Sequence, residues 1–279
     1  MISAIILTWN SEKYIGKCVE SLVESIKFSG EDFEIFIFDN GSQDKTVEIV
    51  KKLCGRFSSI ELTELKENRG TTYSRNLGIK RARGEYVLIL DSDVEIEKET
   101  VKELLKALKE DLKTGIIAPK LLYNSGQLQF SFKRFPTLKT KIFKVLGSSF
   151  AFFQRLAEKD ELYGEKSDIF YPDYCISACW LVRKEVFEKV GLFDENIFYS
   201  PEDVDYCLRV WLSGYRVVYY PFVKALHHTQ RVSYRDKKIA LRFIGGLFYY
   251  FKKHRYLFCR NGVYKKISKA IRKDYPISI

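Results

Sequence analysis

The stretch Tyr86-Val-Leu-Ile-Leu-Asp91-Ser-Asp93 constrains this chain more than any other. A run that is apolar at every position suits a parallel strand buried on both faces, and such sheets bind ligands beyond the carboxyl ends of their strands. The run ends in carboxylates at i and i+2, which an extended chain points to the same side. Two acids so placed repel each other unless a cation or ligand hydroxyls lie between them, and hard oxygen donors suit Mg²⁺ or Mn²⁺. The plainer alternative is that Asp91 and Asp93 end the strand and cap the helix that follows.

The flanking pattern bears on that choice. Residues 2–9 predict a first strand, closed by Asn10-Ser11-Glu12. Tyr14, Ile15, Cys18, Leu22 and Ile26 then form a helical stripe. Residues 33–38 predict a second strand and 44–57 its helix. A third strand is expected at 60–65, after which Asn68-Arg-Gly70 leads into a helix ending near Arg83-Gly84. Residues 98–111 predict the helix after the acidic strand. Strand–helix units repeated over about 110 residues predict a parallel, right-handed, doubly wound sheet. Its strand ends gather Thr8, Asn10, Asp39 and the Asp91/Asp93 pair around one nucleotide-sized crevice. Neither the Gly-x-Gly-x-x-Gly loop of dinucleotide enzymes nor the Gly-x-x-x-x-Gly-Lys loop of nucleoside triphosphatases is present. Phosphate binding must then rest on a metal and basic side chains.

Beyond Gly115 the pattern changes. Residues 115–123 and 127–133 predict a hairpin about Asn124-Ser-Gly126. Residues 135–170 mix charges and aromatics without a period and read as a mobile or acceptor-facing insertion. A strand is expected at 175–183 and a helix at 184–190, ended by Gly191. Pro201 followed by Glu202, Asp203 and Asp205 marks another helix start. Residues 215–222 predict a late strand, closed by Ala225-Leu-His227-His228.

The net charge of +11 is unevenly placed: residues 231–279 carry 14 Lys and Arg against only Asp236 and Asp274, leaving the first 230 residues near neutral. Residues 239–251 are apolar but too short to span a bilayer, and Arg242 interrupts them. Cations and aromatics at the edges suit either an interfacial helix on anionic lipid or a helix packed on the main domain. The six cysteines lack metal-ligand spacing and read as buried thiols of a reducing compartment. The chain opens on a strand-like run rather than a secretory leader, so a cytoplasmic location is expected, peripheral to the inner membrane face if the basic tail binds lipid.

Taken in order, the motifs resemble those of a family 2 glycosyltransferase with the GT-A fold, in particular its bacterial rhamnosyltransferase-like members. They are Thr8-Trp-Asn10, Asp39-Asn-Gly-Ser-x-Asp44-x-Thr46, Asn68-x-Gly70, Arg75-Asn76-x-Gly78 and Asp91-Ser-Asp93. Val182-Arg183, Gly191-x-Phe193-Asp194-Glu195, Glu202-Asp203-x-Asp205 with Arg209, and His228 with Ser233 complete the series. The resemblance implies a Rossmann-like, mostly parallel central sheet flanked by helices. It divides the chain into a catalytic domain at 1–230, with a nucleotide-sugar half at 1–115 and an acceptor half at 116–230, and a basic helical region at 231–279.

The same resemblance implies roles for individual residues. Thr8 and Asn10 would line the base pocket, Asp39 would accept the N3–H of uracil or thymine, and Arg75 and Asn68 would face the nucleotide. Asp91 would hold the ribose. Asp93 would coordinate Mg²⁺ or Mn²⁺, with His228 as a further ligand or a diphosphate contact. Asp203 would be the catalytic base, with Glu202, Ser177 and Ala178 on the acceptor side. The implied reaction is an inverting transfer from a UDP- or dTDP-sugar to a saccharide or lipid-linked acceptor in polysaccharide or glycolipid synthesis.

Two other classes compete. A sugar-phosphate nucleotidyltransferase would carry a glycine-rich basic loop after the first strand, where this chain reads Thr8-Trp-Asn-Ser-Glu-Lys13. A nucleic-acid binder would spread its basic charge over the crevice, where acids stand instead. No nucleic-acid partner is expected.

Overall fold

The computed structural model describes residues 1–229 and 237–271. Ser233 and both the start and the end of the basic tail lie outside the described residues. The first half alternates as expected: β1 (Ile2–Thr8), α1 (Ile15–Ser29), β2 (Phe33–Asp39), α2 (Thr46–Arg56), β3 (Ile60–Glu64), α3 (Thr71–Arg81) and β4 (Tyr86–Asp91). β1 lies between β2 and β4, parallel to both, and β3 extends the sheet beyond β2. The apolar strands serve two cores at once because side chains alternate across a sheet. Val87 and Ile89 of β4 enter one core, while Tyr86, Leu88 and Leu90 enter the other with the apolar stripe of α1.

The second half adds β5 (Val94–Ile96), α4 (Thr100–Glu110), β6 (Thr114–Leu122), β7 (Leu128–Gln129), β8 (Phe132–Lys133), α5 (Leu138–Gly147), α6 (Ala151–Glu161), β9 (Tyr174–Cys175), β10 (Cys179–Arg183), α7 (Lys184–Val190), α8 (Glu202–Leu212), β11 (Arg216–His227), α9 (Lys237–His254) and α10 (Asn261–Ile271). The large sheet runs β3-β2-β1-β4-β10-β6-β11-β5, with β7 on β6, and β8 pairs β9 in a small second sheet. It is mostly parallel. β10 inserts antiparallel between β4 and β6, and β5 is antiparallel to β11.

Several expectations need correction. The strand read at 175–183 is broken, because the chain changes sheets at Ile176–Ala178: the Ile176 N–H donates to Ser131 O, whereas Ala178 O accepts from the Asp91 N–H. The strand read at 127–133 is split for the same reason, β7 returning along β6 and β8 pairing with β9. Residues 135–170 contain α5 and α6. Their period is masked because Ile142, Val145, Phe150 and Phe152 are exposed, so no clean apolar stripe marks a buried face. α9 is amphipathic in a specific way: Leu247, Tyr250 and Phe251 are buried in the core shared with α8, while Leu241, Ile244 and Phe248 face out. Among the described residues, no helix is long and apolar enough to cross a membrane.

Candidate active site

A cleft of about 330 Å³ opens where the carboxyl ends of β1 and β4 meet the 176–178 crossing and the start of α8. Asn68, Arg75, Asp91, Asp93, Ser177, Ala178, Glu202 and Asp203 all line it. Thr8, Asn10, Asp39 and His228 do not. Thr8 is turned away by strand alternation, its neighbours Leu7 and Trp9 facing the cleft instead. Its buried Oγ1 has no hydrogen-bond partner among the described residues. Asn10 adopts a positive φ of 50° and ties two loops together, accepting from the Gln43 N–H at 2.8 Å and donating its own N–H to Ser42 Oγ at 2.8 Å. Asp39 closes its own loop, accepting from the N–H groups of Gly41 and Ser42 and from Ser42 Oγ. Asn10 and Asp39 thus hold the loops behind the rim.

The donor-side loops are held from opposite directions. Asn68 Oδ1 accepts from the Gly70 N–H at 2.9 Å and from Asn40 Nδ2 at 3.2 Å. Gly70 has φ +87°, and a Cβ there would sit 2.4 Å from Phe198 O, so only glycine lets the start of α3 reach the 192–200 loop. The Thr71 N–H donates to that same carbonyl at 2.7 Å.

Arg75 is the hub of the cleft. Its guanidinium, buried at 2% exposure, donates to Asp91 Oδ1 at 2.7 Å, Glu202 Oε1 at 3.1 Å and Ser177 Oγ at 2.7 Å. A planar fork of fixed donors suits such a bridge better than a lysine. Expected to face the nucleotide, Arg75 ties Asp91 on one side of the cleft to Glu202 on the other. Ser177 Oγ in turn donates to Glu202 Oε1 at 3.1 Å.

The metal expectation is corrected in one ligand. Asp91, Asp93 and His227 each bring a ligand atom within 4.8 Å of the others. His227 Nε2 stands 3.5 Å from Asp93 Oδ1, and its Nδ1 lies 2.9 Å from Gln129 Oε1. A glutamine carbonyl can accept only from a protonated Nδ1, which leaves Nε2 facing the carboxylates with a lone pair that needs a cation or a proton. Burial disfavours the imidazolium, yet the bond and charge of Asp93 and the charge of Asp91 outweigh it and raise the His227 pKa. Two carboxylates and such an imidazole fit a divalent cation. His228 is directed elsewhere, with Nε2 2.7 Å from Glu95 Oε1 and its ring stacked on Tyr14. The cause is β5, whose antiparallel pairing with β11 sets His227 opposite Val94, right after Asp93. A three-residue strand leaves little sequence signal.

Across the cleft, Glu202 and Asp203 open α8, where its N-terminal N–H groups favour negative charge. Burial and then the Asp203 charge push Glu202 up to about 8, against the pull of Arg75. Asp203 is also raised by burial, but the Val204 N–H, Arg75, Lys133 and Lys141 all work to keep it ionised. The sequence did not single out Trp9, Phe198 or Tyr199, which line the cleft from loops without periodicity.

Residues 3–191 match the profile of Glycosyl transferase family 2. The poly(ribitol-phosphate) beta-N-acetylglucosaminyltransferase TarS of Staphylococcus aureus is 38% identical over 109 residues, a stretch that is 39% of this chain and 19% of that protein. Rhamnosyltransferase WbbL of Escherichia coli is 24% identical over 273 residues, 94% of this chain and 96% of the relative. Among solved structures, TarS 1–349 in complex with UDP-GlcNAc superposes with a TM-score of 0.61 at 20% identity, covering 97% of this chain and 71% of the other. Mannosyltransferase PcManGT from Pyrobaculum calidifontis, in complex with GDP-Man and Mn²⁺, gives a TM-score of 0.61 at 18% identity, covering 96% and 68%.

Proposed function

The chain belongs to glycosyl transferase family 2 and has the GT-A fold, and from that premise we propose that it moves a sugar from a UDP- or dTDP-sugar to an acceptor hydroxyl, with inversion, in building a cell-surface glycan. The observation that carries this reading is the pairing of two unlike carboxyl groups across one cleft from Asp91 and Asp93, with Arg75 joining the two sides. The half at 1–115 would hold the donor and the half at 116–230 would present the acceptor. Asn68 and Asp91 would contact the nucleotide. A carboxylate offers about four lone-pair sites and Asp39 uses three of them in its loop, which leaves one for a base N3–H.

The chemistry follows from charge. Asp203, at the N-terminal end of α8, takes the proton of the attacking hydroxyl. Glu202, whose hold on a proton is raised by burial and by the Asp203 charge, instead fixes Arg75 and Ser177. Ser177 and Ala178 are small and leave room for the two sugars beside the arginine. Asp93, Asp91 and His227 would hold Mg²⁺ or Mn²⁺, which supplies Lewis-acid neutralisation of the departing diphosphate. One base and no protein acid matches a displacement in which the leaving group needs no proton.

Incubation with UDP- and dTDP-sugars and a simple glycoside acceptor, read by release of nucleoside diphosphate and by the anomeric proton coupling of the product, tests this. A product with the donor's anomeric configuration would sink the inverting mechanism.

A second reading concerns the membrane. Leu241, Ile244 and Phe248 form one exposed helical stripe on α9, 49–69% accessible, beside a strongly basic chain end. That pattern favours docking on an anionic membrane surface. Leu241→Ser with Phe248→Ser should lower binding to phosphatidylglycerol vesicles while leaving the fold intact. Equal binding by both proteins would dismiss the idea.

A further inference from the structure

Beyond Asp203, away from Asp91 and Asp93, stands a cluster of charge to which the transfer reaction assigns no ligand. Lys133 lies on β8 opposite Tyr174 of β9, and bridges on its other side to Leu162 at the end of α6. The β8–β9 pair rests on α8: Cys207 Sγ, one turn after Asp203, donates to Cys175 O. Lys141 and Lys144 reach the same place from α5, and Glu161 from the end of α6. Glu161 is buried and ion-paired to Lys144. That leaves two ammonium groups unsatisfied. Among the described residues, neither Lys133 nor Lys141 has a hydrogen-bonding partner or an ion pair, and the Lys141 ammonium stands over the Phe243 ring of α9, 5.7 Å from its centroid.

Both lysines are mostly covered, and the cost of covering them appears in their acidity. Burial and then Lys144 bring Lys141 down to about 8, and burial lowers Lys133 as well; Glu161 and Asp203 pull both back up. A half-buried ammonium without a counter-ion is unfavourable, and an anion bound beside it removes that cost. Three lysines converge on one glutamate beside the candidate base. Their shape also speaks to the ligand: ammonium groups on flexible stems act as point charges toward phosphate, without the planar match that an arginine makes to a carboxylate.

We propose that Lys133 and Lys141 form an anion subsite on the acceptor side of Asp203, and that the acceptor carries a phosphate ester bound there while its hydroxyl meets Asp203. This rests on the transferase reading for the word acceptor, but the subsite itself is a binding claim that stands apart from turnover. Two sources share the chemistry, a polyol phosphate and a lipid diphosphate. The exposed Ile142, Val145 and Phe152 nearby would suit the chain of the second.

The test is calorimetry in EDTA, so that no divalent cation recruits phosphate to the donor side. The probes are sn-glycerol 3-phosphate and farnesyl diphosphate, with glycerol and farnesol as uncharged controls. The proteins are the unmodified chain, Lys133→Gln, Lys141→Gln and, as a control for surface charge, Lys139→Gln on the exposed side of α5. At least a tenfold loss of phosphate affinity in the first two variants, with Lys139→Gln unchanged, is expected. Tighter binding of farnesyl diphosphate assigns the lipid source, and equal binding assigns the polyol phosphate. Should either variant fail to fold, ¹³C reductive methylation of the unmodified chain supplies the answer, because the two most shifted lysine resonances must move saturably with either probe. Unchanged affinity in both variants, or lysine resonances that ignore both phosphates, overturns the subsite. Loss of nucleotide-sugar binding with the subsite intact would count against the transferase reading alone.

Discussion

Glu202 and Asp203 are adjacent in sequence and both raised by burial, but they differ in their partners: Glu202 accepts from Arg75 and Ser177, Asp203 from the Val204 N–H. Asp203→Asn should lower turnover by roughly 10²–10⁴-fold, the usual span for a lost general base. Donor affinity should survive, because Asp203 stands opposite the donor-side carboxylates. Near-normal turnover in a folded Asp203→Asn enzyme would remove it from the role. The two adjacent histidines give a sharper contrast. His227→Ala should weaken Mn²⁺ binding about tenfold or more, a loss in keeping with the effect of disturbing a metal's ligand set. His228→Ala should leave it unchanged, since that ring serves Glu95 and Tyr14. Electron paramagnetic titration of Mn²⁺ measures both. That Asp91 and Asp93 would face a cleft was legible from their place at a buried strand's tip, whereas Asp203, which also lines it, stood out only through its motif. The choice between His227 and His228 was not legible, because it turns on the register of β5 against β11.

Among the elements, α9 is the one whose placement most affects the site. Gly245 and Gly246 sit side by side in it but meet different surroundings. A Cβ on Gly246 would stand 2.6 Å from Ser200 O, on the loop that leads into Glu202, whereas nothing lies within 4 Å of one on Gly245. Gly245→Ala should therefore stabilise by about 0.5–1 kcal/mol through helix propensity. Gly246→Ala should destabilise by about 1–3 kcal/mol, the range for overpacking. Denaturant melts of the two variants decide; a common sign would mean that α9 does not press on that loop.

The C-terminal end of α9 is tied down by charge, Lys253 Nζ lying 2.7 Å from both Asp194 Oδ2 and Asp205 Oδ1. Burial alone would raise Asp194, but Lys253 and the Asn196 donors outweigh it and hold it at about 2, against 3.8 for a free aspartate. A depressed carboxylate contributes stability above its unfolded pKa and loses that contribution as pH falls toward and through about 2. Lys253→Met should accordingly cost about 1 kcal/mol at pH 7, the scale of a solvent-screened pair. The deficit should be smaller at pH 3, as urea melts at the two pH values would show. A deficit that grows on acidification contradicts the assignment. Elements with one continuous environment, such as β4 and α7, were readable from pattern. The strand broken at Ile176–Ala178 was not, because an apolar run carries no mark of the point where its hydrogen-bonding partner changes.

At the scale of the molecule, the donor half follows from repetition. β1, β2 and β4 are covered on both faces and β3 closes the edge, so apolar runs and helical stripes alternate in a way that fixes a parallel sheet. The acceptor half obeys no such rule: β10 and β5 run against their neighbours, and α5 and α6 expose apolar side chains that a soluble helix normally hides.

The central claim is that this cleft holds a pyrimidine nucleoside diphosphate sugar with the help of a divalent cation. It is tested most directly by the melting temperature of the full chain with UDP- and dTDP-sugars, with and without Mn²⁺ or Mg²⁺. Ligand at 100 times its Kd stabilises by about 2.7 kcal/mol, which for a chain of this size is a rise of about 5–10 °C. The prediction is a rise of that order with at least one such sugar, dependent on the cation and abolished by Asp93→Ala. Absence of any shift with every uridine and thymidine diphosphate sugar, cation present or absent, would contradict it.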